Sequence, residues 1–530
     1  MTPPRSRRTP PVRSPRVAFA ALFGVAALLL AGCGGGAAGG GSGAASTTLR
    51  MAWQLPPMPF DPHTTVSTIG AFPYLSLVYD RLTQIAPGPA GPVVAPMLAT
   101  GWEQSPDGRT VTFTLRDDAV FHDGTPVDAT AVRDTLRRAA TLPGSTVAGD
   151  LRVIQDVQAP DPRTVVLSLS RPATDVLFTL ATSVGSVLSP AALRGEVDPA
   201  TTDAGSGPYR LGELKLGDRV VYERAEGYWD PAAQRSSRIE ILGIPDDNAR
   251  LNALRSGQVD AIMAKVTQQE QAEQLAADGR FTVVTERPTS WYAMYLDTAL
   301  APLDDVRVRR ALNYAVDREA IDAAVFDGNC APTSQPLQEG VVGHSPAVGY
   351  THDPQRAREL LAEAGLGGGV TLTAVTSGVS ASQLALAQVL QAQLGEVGIR
   401  LDVRGMDFTQ AVADFRDRKA HGFIGSHPGV ADPGMTVSDA YLSAFFPGPL
   451  PEGYEDLLAR AADSTKPADE RRALLEAASA TASEHALDLY LCGYSASFVS
   501  TPDITGFDAM TAPDQGGPFD LRYVGRAEAS

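Results

Sequence analysis

Residues 121–128 read FHDGTPVD, and the adjacent His122 and Asp123 invite a chemical reading. A histidine beside a carboxylate can relay a proton or share a metal ion. The same letters also spell a strand end followed by an Asp-Gly turn. The wider chain decides between them. Its seven histidines are His63, His122, His344, His352, His421, His427 and His485, and none is paired at a metal-ligand spacing on a recognisable helix. His421 and His427, six apart across a glycine-rich stretch, come nearest to a ligand pair. Nucleophile-elbow, HExxH, phosphate-loop and dinucleotide-loop patterns are all missing. The sequence therefore predicts no catalytic residues, no metal and no cofactor, and His122 and Asp123 read as structural.

The N-terminus carries an address. Arg5, Arg7, Arg8, Arg13 and Arg16 precede an apolar run from Val17 to Leu30. That run is short of the roughly 20 residues a bilayer span needs, so it reads as an export signal over residues 1–32. It ends in Leu-Ala-Gly-Cys at 30–33, and a Gly/Ala/Ser stretch follows to Ser46. The pattern is similar to the bacterial lipobox, which makes Cys33 the lipidated first residue of the mature chain and 33–46 a lipid-bearing flexible tether. The formal charge is −17, and loss of the five leader arginines makes the remainder more acidic, which disfavours nucleic acid. Of 44 basic residues only four are lysines, a bias that fits a GC-rich, actinobacterial source. Two cysteines remain, Cys330 and Cys492. Outside the cytoplasm they can bridge, but spacing alone leaves open whether they meet.

The elements that would position these residues alternate between strand and helix, which gives an α/β class. Thr47–Gln54 reads as a first strand. Asp107-Gly108 turns into a strand with Val111, Phe113 and Leu115 on one face. Asp123-Gly124 turns again, and Asp128 or Thr130 caps a helix beginning near Ala131. A helical stripe through Val308, Leu312, Val316 and Ile321 is capped by Asp304 or Asp305 and interrupted near Asp317. Another helix starts at Asp353-Pro354 and ends at Gly365 or Gly367. The segment from 370 to 404 reads as strand, helix, strand: a parallel crossover.

A set of segments in fixed order carries a resemblance. They run FDPHTT, LVYDRL, PMLATGWEQSPDGRTVTFTLRDDAVFHDGTPVDATAV, GSGPYRL, AEGYWDP, ALRSGQVDA, LDDVRVRRALNYAVDREAI, YTHDPQRARELLAEAG and LGEVGIRLDV. Together they resemble the family-5 extracellular solute-binding proteins, the lipoprotein receptors of dipeptide, oligopeptide and nickel ABC importers. The resemblance implies a two-lobed, hinge-closing fold of the periplasmic-binding-protein type, the large type II subclass with an accessory domain. Lobe I would comprise 47–77, 201–289 and 486–530, with 78–200 as its accessory domain, and lobe II 290–485. A small solute, by default a peptide, would bind between the lobes. The expected partners are the permease and ATPase subunits and, through the lipid anchor, the outer face of the cell membrane; the protein itself is expected to be a monomer. A non-peptide solute (a glycan, an opine-like compound or a metal chelate) is the second reading, and a lipid-anchored enzyme or signalling receptor the third.

The resemblance also places the cleft. Gly425–Met435 matches a loop in which peptide receptors carry a tryptophan and an amine-binding aspartate; here Ser426 and Gly429 stand at those positions. A buried ammonium without a partner costs about 3–5 kcal/mol, so Asp432, Asp439 or Asp297 must supply the charge, or the solute has no free amine there. Nickel receptors carry Asp-Pro-His in this loop, where this chain has Asp-Pro-Gly. The expected solute contacts are Tyr79, Tyr209, Trp291, Tyr292, Asp297, His427, Gly429 and Asp432, although each aromatic fits a core position equally well.

Overall fold

A computed structural model describes residues 47–526, apart from 66–67, 87–92, 172–174, 286–289, 379, 428, 430–431, 443–445, 464–465, 495–496 and 508–518. The export signal, Cys33 and the tether lie outside the described residues. No described helix is long and apolar enough to cross a membrane.

Strands follow the chain in this order. β1 is Thr48–Trp53; β2 (Thr83–Ala86) and β3 (Val93–Pro96) pair as a hairpin. β4 (Ala99–Gln104), β5 (Thr110–Leu115), β6 (Ile154–Asp161) and β7 (Thr164–Leu169) form an antiparallel sheet ordered β4-β5-β7-β6. Then come β8 (Tyr209–Lys215), β9 (Arg219–Arg224), β10 (Arg238–Gly243), β11 (Ala261–Ala264) and β12 (Thr282–Thr285). With β1 and the later β19 (Ser497–Ser500) they make a seven-stranded sheet ordered β12-β19-β11-β1-β10-β9-β8. The second large sheet draws on β13 (Trp291–Leu296), β14 (Cys330–Pro332), β15 (Val370–Ser377), β16 (Ile399–Met406), β17 (Gly422–His427) and β18 (Asp488–Tyr494), ordered β14-β18-β13-β17-β15-β16. β20 (Ile504–Thr505) and β21 (Gly525–Arg526) close the chain as a short pair.

Local signals act where the sequence places them. Asp128 caps the helix Ala129–Thr141 by accepting from Ala131 N at 2.8 Å. The long stripe is broken into Val306–Ala315 and Arg318–Val325 because Asp317 turns away to cap the second, accepting from Ala320 N at 2.9 Å. Asp353 caps Pro354–Glu363, and Gly365 follows its end at φ +78°. β15 and β16 pair in parallel with the helix Ala381–Glu396 between them, as the periodicity predicts.

Each large sheet has its own core. Val111, Phe113 and Leu115 belong to a third, under the four-stranded sheet. The chain passes from the first large sheet to the second between β12 and β13, and returns between β18 and β19. β18 therefore belongs to the second sheet, paired with β13, and the boundary expected at 485/486 falls too early. The return comes after Tyr494. Cys330 and Cys492 are joined, with Cα atoms 5.4 Å apart, tying β14 to β18.

Candidate functional site

The FHDG turn shows what its motif does. His122 Nδ1 lies 2.7 Å from Asp203 Oδ1 and Nε2 lies 2.9 Å from the Gly207 carbonyl. Asp123 turns back on its own loop, accepting from Thr125 N at 2.9 Å. The two side chains therefore share no partner and form no dyad. His122 fastens the turn to the segment carrying GSGPYRL. A cavity of about 250 Å³ borders it, lined in part by His122, Arg210, Glu226 and Trp229.

Other motifs are fasteners too. Asp80, from LVYDRL, is fully buried and accepts from Tyr228 Oη at 2.8 Å and Trp229 Nε1 at 3.0 Å, both from AEGYWDP. Arg522 reaches Asp80 at 3.3 Å and Asp520 at 3.0 Å, while Arg81 binds Asp520 at 2.9 Å. In FDPHTT, Asp61 and His63 both receive Arg138, at 2.6 Å each. Burial, with Arg138 beside it, pushes the His63 imidazole down to about 4.

The polar groups at the crossing end of the second sheet are arranged differently. β13 begins at Trp291, directly opposite His427 at the end of β17 and Gly493 on β18. The Trp291 and His427 rings stack with centroids 4.4 Å apart and planes 6° from parallel. Both residues are buried, and among the described residues neither Trp291 Nε1 nor His427 Nδ1 has a hydrogen-bond partner. A buried polar atom left so costs about 1–3 kcal/mol. Burial pushes the His427 imidazole down to about 3, which keeps it neutral with a free lone pair. Its Nε2 lies 3.9 Å from Asp439 Oδ2.

The alternation of β13 sorts its side chains. Trp291 and Tyr295 point to the core containing Tyr441 and Tyr490. Tyr292 points the other way, packing at 4.7 Å against both Phe326 and Tyr494. So Tyr292 is at the crossing but in the core rather than on a cleft wall.

Three expected contacts lie elsewhere. Tyr209 belongs to the first sheet; its hydroxyl donates to Ser236 O at 3.0 Å and accepts from Ser236 N at 3.2 Å. Tyr79 is fully buried in the same core. Asp297 follows the opposite end of β13, accepting from Ala299 N at 3.0 Å, with His421 nearby at the start of β17. A strand advances about 3.4 Å per residue, so the two ends stand roughly 17–20 Å apart. That length separates Asp297 from the crossing end, and His421 from His427, which removes the two histidines as a ligand pair.

Gly429 is buried just beyond His427. Asp432, fully buried, caps the helix Pro433–Leu442 through Met435 N at 2.9 Å and forms an ion pair with Arg471. Burial raises its carboxyl and Arg471 opposes the shift, so Asp432 is already matched by a cation. Of the three carboxylates considered for a solute amine, Asp439 alone is neither remote nor paired with a Lys or Arg among the described residues. Its signal was helical phase: Met435, Asp439 and Leu442 share the less buried face of the helix that Asp432 caps. Among the described residues no group of three or more His, Cys, Asp or Glu could hold a metal ion.

Two α/β sheets with separate cores, joined by two crossings and with unpartnered polar atoms at the crossing end, define a two-lobed binding protein. The sequence matches bacterial extracellular solute-binding proteins, family 5 (middle), over residues 93–446. The chain belongs to that family, whose members are receptors rather than enzymes. The glutathione-binding protein GsiB of Pectobacterium atrosepticum is 30% identical over 320 residues, which is 60% of this chain and 62% of that one. The alignment thus spans under two thirds of that relative. NikA from Brucella suis, solved with Fe(III)-EDTA, superposes with a TM-score of 0.75 at 24% identity, covering 90% of this chain and 99% of that one. DppA from Helicobacter pylori, solved with the peptide STSA, gives 0.73 at 20% identity, covering 91% and 99%.

Proposed function

We propose that this chain is the solute-capturing receptor of an ABC importer, anchored by a lipid on Cys33 to the outer face of the membrane, and that it delivers a peptide to the permease. The observation that carries the reading is the buried corner at the crossings, where Trp291 and His427 each keep a polar atom without a partner among the described residues. A solute lodged there touches the second sheet at the end where the chain crosses between the two large sheets. Contacts made only in the closed form then shift the population toward it. We assign the first lobe to the seven-stranded sheet, with the four-stranded sheet as its accessory part, and the second lobe to β13–β18. Names and bound molecules among its relatives (glutathione, a peptide) support a peptide solute.

A panel of di- to pentapeptides tests this. A ligand that binds only the folded protein raises stability by RT ln(1 + [L]/Kd), so peptides at a hundred times Kd stabilise by about 2.7 kcal/mol and raise Tm. No shift across the panel removes the peptide and leaves the receptor class. The second reading, a non-peptide solute such as a chelate or an opine-like compound, draws support from Gly429, which supplies no carboxylate to that loop. Native mass spectrometry of protein from its own host distinguishes the two by the mass of the retained solute. The anchor has its own test: Cys33→Ser should move the protein from the membrane to the soluble fraction.

A further inference from the structure

Most of the polar groups around the cavity beside the FHDG turn are already engaged. The cavity holds about 250 Å³ and lies in the seam where that turn meets the first-lobe segments 206–210 and 225–229. The seam is fixed by backbone contacts: His122 N donates to the Gly205 carbonyl at 2.9 Å, and Arg210 Nη2 donates to the His122 carbonyl. The His122 ring spends one nitrogen on Asp203 and the other on Gly207. Asp118 is held by Arg116 at 2.5 Å, and the Arg116 guanidinium lies 3.5 Å over the Trp229 ring. Tyr228 and Trp229 donate to Asp80, and the Ser206 hydroxyl reaches the same carboxylate at 3.4 Å.

Two lining charges are left over. Among the described residues Arg210 meets no carboxylate, and Glu226 meets neither a cation nor a hydrogen-bond donor. Ala225 N donates to the Pro208 carbonyl at 3.0 Å, which lays the segment carrying Glu226 alongside the start of β8, where Arg210 stands. The two opposite charges thus border one hollow and do not pair with each other. A molecule carrying the same two charges in reverse fits that arrangement: a carboxylate for the guanidinium, which has N–H donors beyond the one given to His122, and an ammonium for the carboxylate. Val120, 47% exposed, adds an apolar wall from the accessory part. The volume is below the roughly 300–1,000 Å³ of pockets for drug-sized ligands, so the occupant is one small molecule rather than a chain of several residues.

We propose that this seam is a second binding site, separate from the solute corner, for a free α-amino acid in its zwitterionic form with an aliphatic side chain. Arg210 takes the carboxylate, Glu226 takes the ammonium, and Val120 packs against the side chain. Both charged residues are exposed, so each ion pair adds only a small factor and binding is weak and reversible.

Calorimetric titration of the purified full-length protein with L-valine, L-valinamide and N-acetyl-L-valine tests it. Valinamide lacks the carboxylate, and N-acetylvaline lacks the ammonium. Valine is expected to bind saturably, and each altered form about threefold more weakly or worse. Arg210→Gln should then bind valine and valinamide equally, and Glu226→Gln should bind valine and N-acetylvaline equally. Glu226 makes no contact that holds the turn, so its variant keeps the fold, as an unchanged Tm would verify; if Arg210→Gln loosens the turn, Glu226→Gln alone decides. Valine binding that survives unchanged in Glu226→Gln, or that saturating tri-alanine displaces, overturns the site by placing the amino acid elsewhere. Equal binding of all three probes to the wild type, or of none, overturns it too. None of these outcomes bears on the peptide reading, which the peptide panel decides by itself.

Discussion

The Asp80–Arg522 cluster in the first lobe and the Trp291–His427 corner in the second are both buried and polar, yet among the described residues only the first is built on Arg–Asp ion pairs, and even there Arg81 Nε and Nη1 have no hydrogen-bond partner. Asp80 is surrounded by Tyr228, Trp229 and Arg522, and Arg522 is shared with Asp520. At the corner, Trp291 Nε1 and His427 Nδ1 meet no acceptor or donor among the described residues, and no Lys or Arg among those residues pairs with Asp439. Paired charges hold segments together that are far apart in sequence; under the proposed function the unpaired groups at the corner meet the solute. A recurrent motif in this protein is thus a fastener, and the proposed binding corner is set apart by its place at the crossings and its stacked Trp291 and His427 rings.

Perturbing the fasteners should reduce stability without changing what is bound. Arg522→Leu leaves Asp80 and Asp520 without their shared cation, and breaking a buried pair costs about 3–5 kcal/mol; denaturant unfolding should register that loss. Removing the Cys330–Cys492 bridge, which closes a separation of 162 residues, should cost about 2–5 kcal/mol in the same measurement. A loss well below 1 kcal/mol in either would mean the fastening is misread.

Asp488 sharpens the comparison within the second lobe. It is fully buried, accepts from Leu296 N at 3.1 Å and Tyr441 Oη at 3.1 Å, and burial pushes its carboxyl up to about 7. Its folded value lies above its unfolded one near 3.9, so the folded state binds the extra proton. Its contribution is greatest below about pH 4 and is lost as pH rises to about 7, by up to about 4 kcal/mol. His427 acts in the opposite sense. Its folded value, about 3, lies below the unfolded 6.5, so its neutral form loses stability as pH falls from 6.5 toward 3. Asp488→Asn keeps an oxygen for Leu296 N; its Tm should fall less between pH 4 and 7 than that of the wild type. An unchanged slope would show that Asp488 is ionised throughout.

His122→Ala should have the smallest effect, about 1–3 kcal/mol from the two lost contacts. Solute affinity should stay within twofold. A large loss of affinity would restore the FHDG turn as part of the binding site.

Caps, turns and alternation were legible in the sequence because each is decided by neighbours within a few residues. Asp317 is a good case: its side chain bonds the backbone three residues on, and that alone divides the helix. The family segments made the two-lobed class legible as well. The solute contacts were less so, because they depend on which end of a strand a residue occupies and on partners far away. Asp297 and Trp291 share β13 and its immediate continuation, yet they stand at opposite ends. Asp432 looked available for an amine until Arg471, 39 residues on, was found against it. Tyr292 and Trp291 are adjacent, and the pleat sends them into the cores on opposite faces of the sheet, Trp291 into the one that holds Tyr441 and Tyr490. The return crossing was misplaced because nothing local in 486–494 tells which sheet its strand joins.

The central claim is that solute is held at the crossing end of the second sheet and not at the FHDG turn. Hydrogen–deuterium exchange, comparing protein carrying its retained solute with protein stripped by partial unfolding and refolding, tests it directly. The account predicts protection concentrated at the start of β13 and from His427 through the helix Pro433–Leu442, with segments 118–124 and 206–229 unchanged. Protection centred on those two segments, with Trp291 and His427 unaffected, would contradict it.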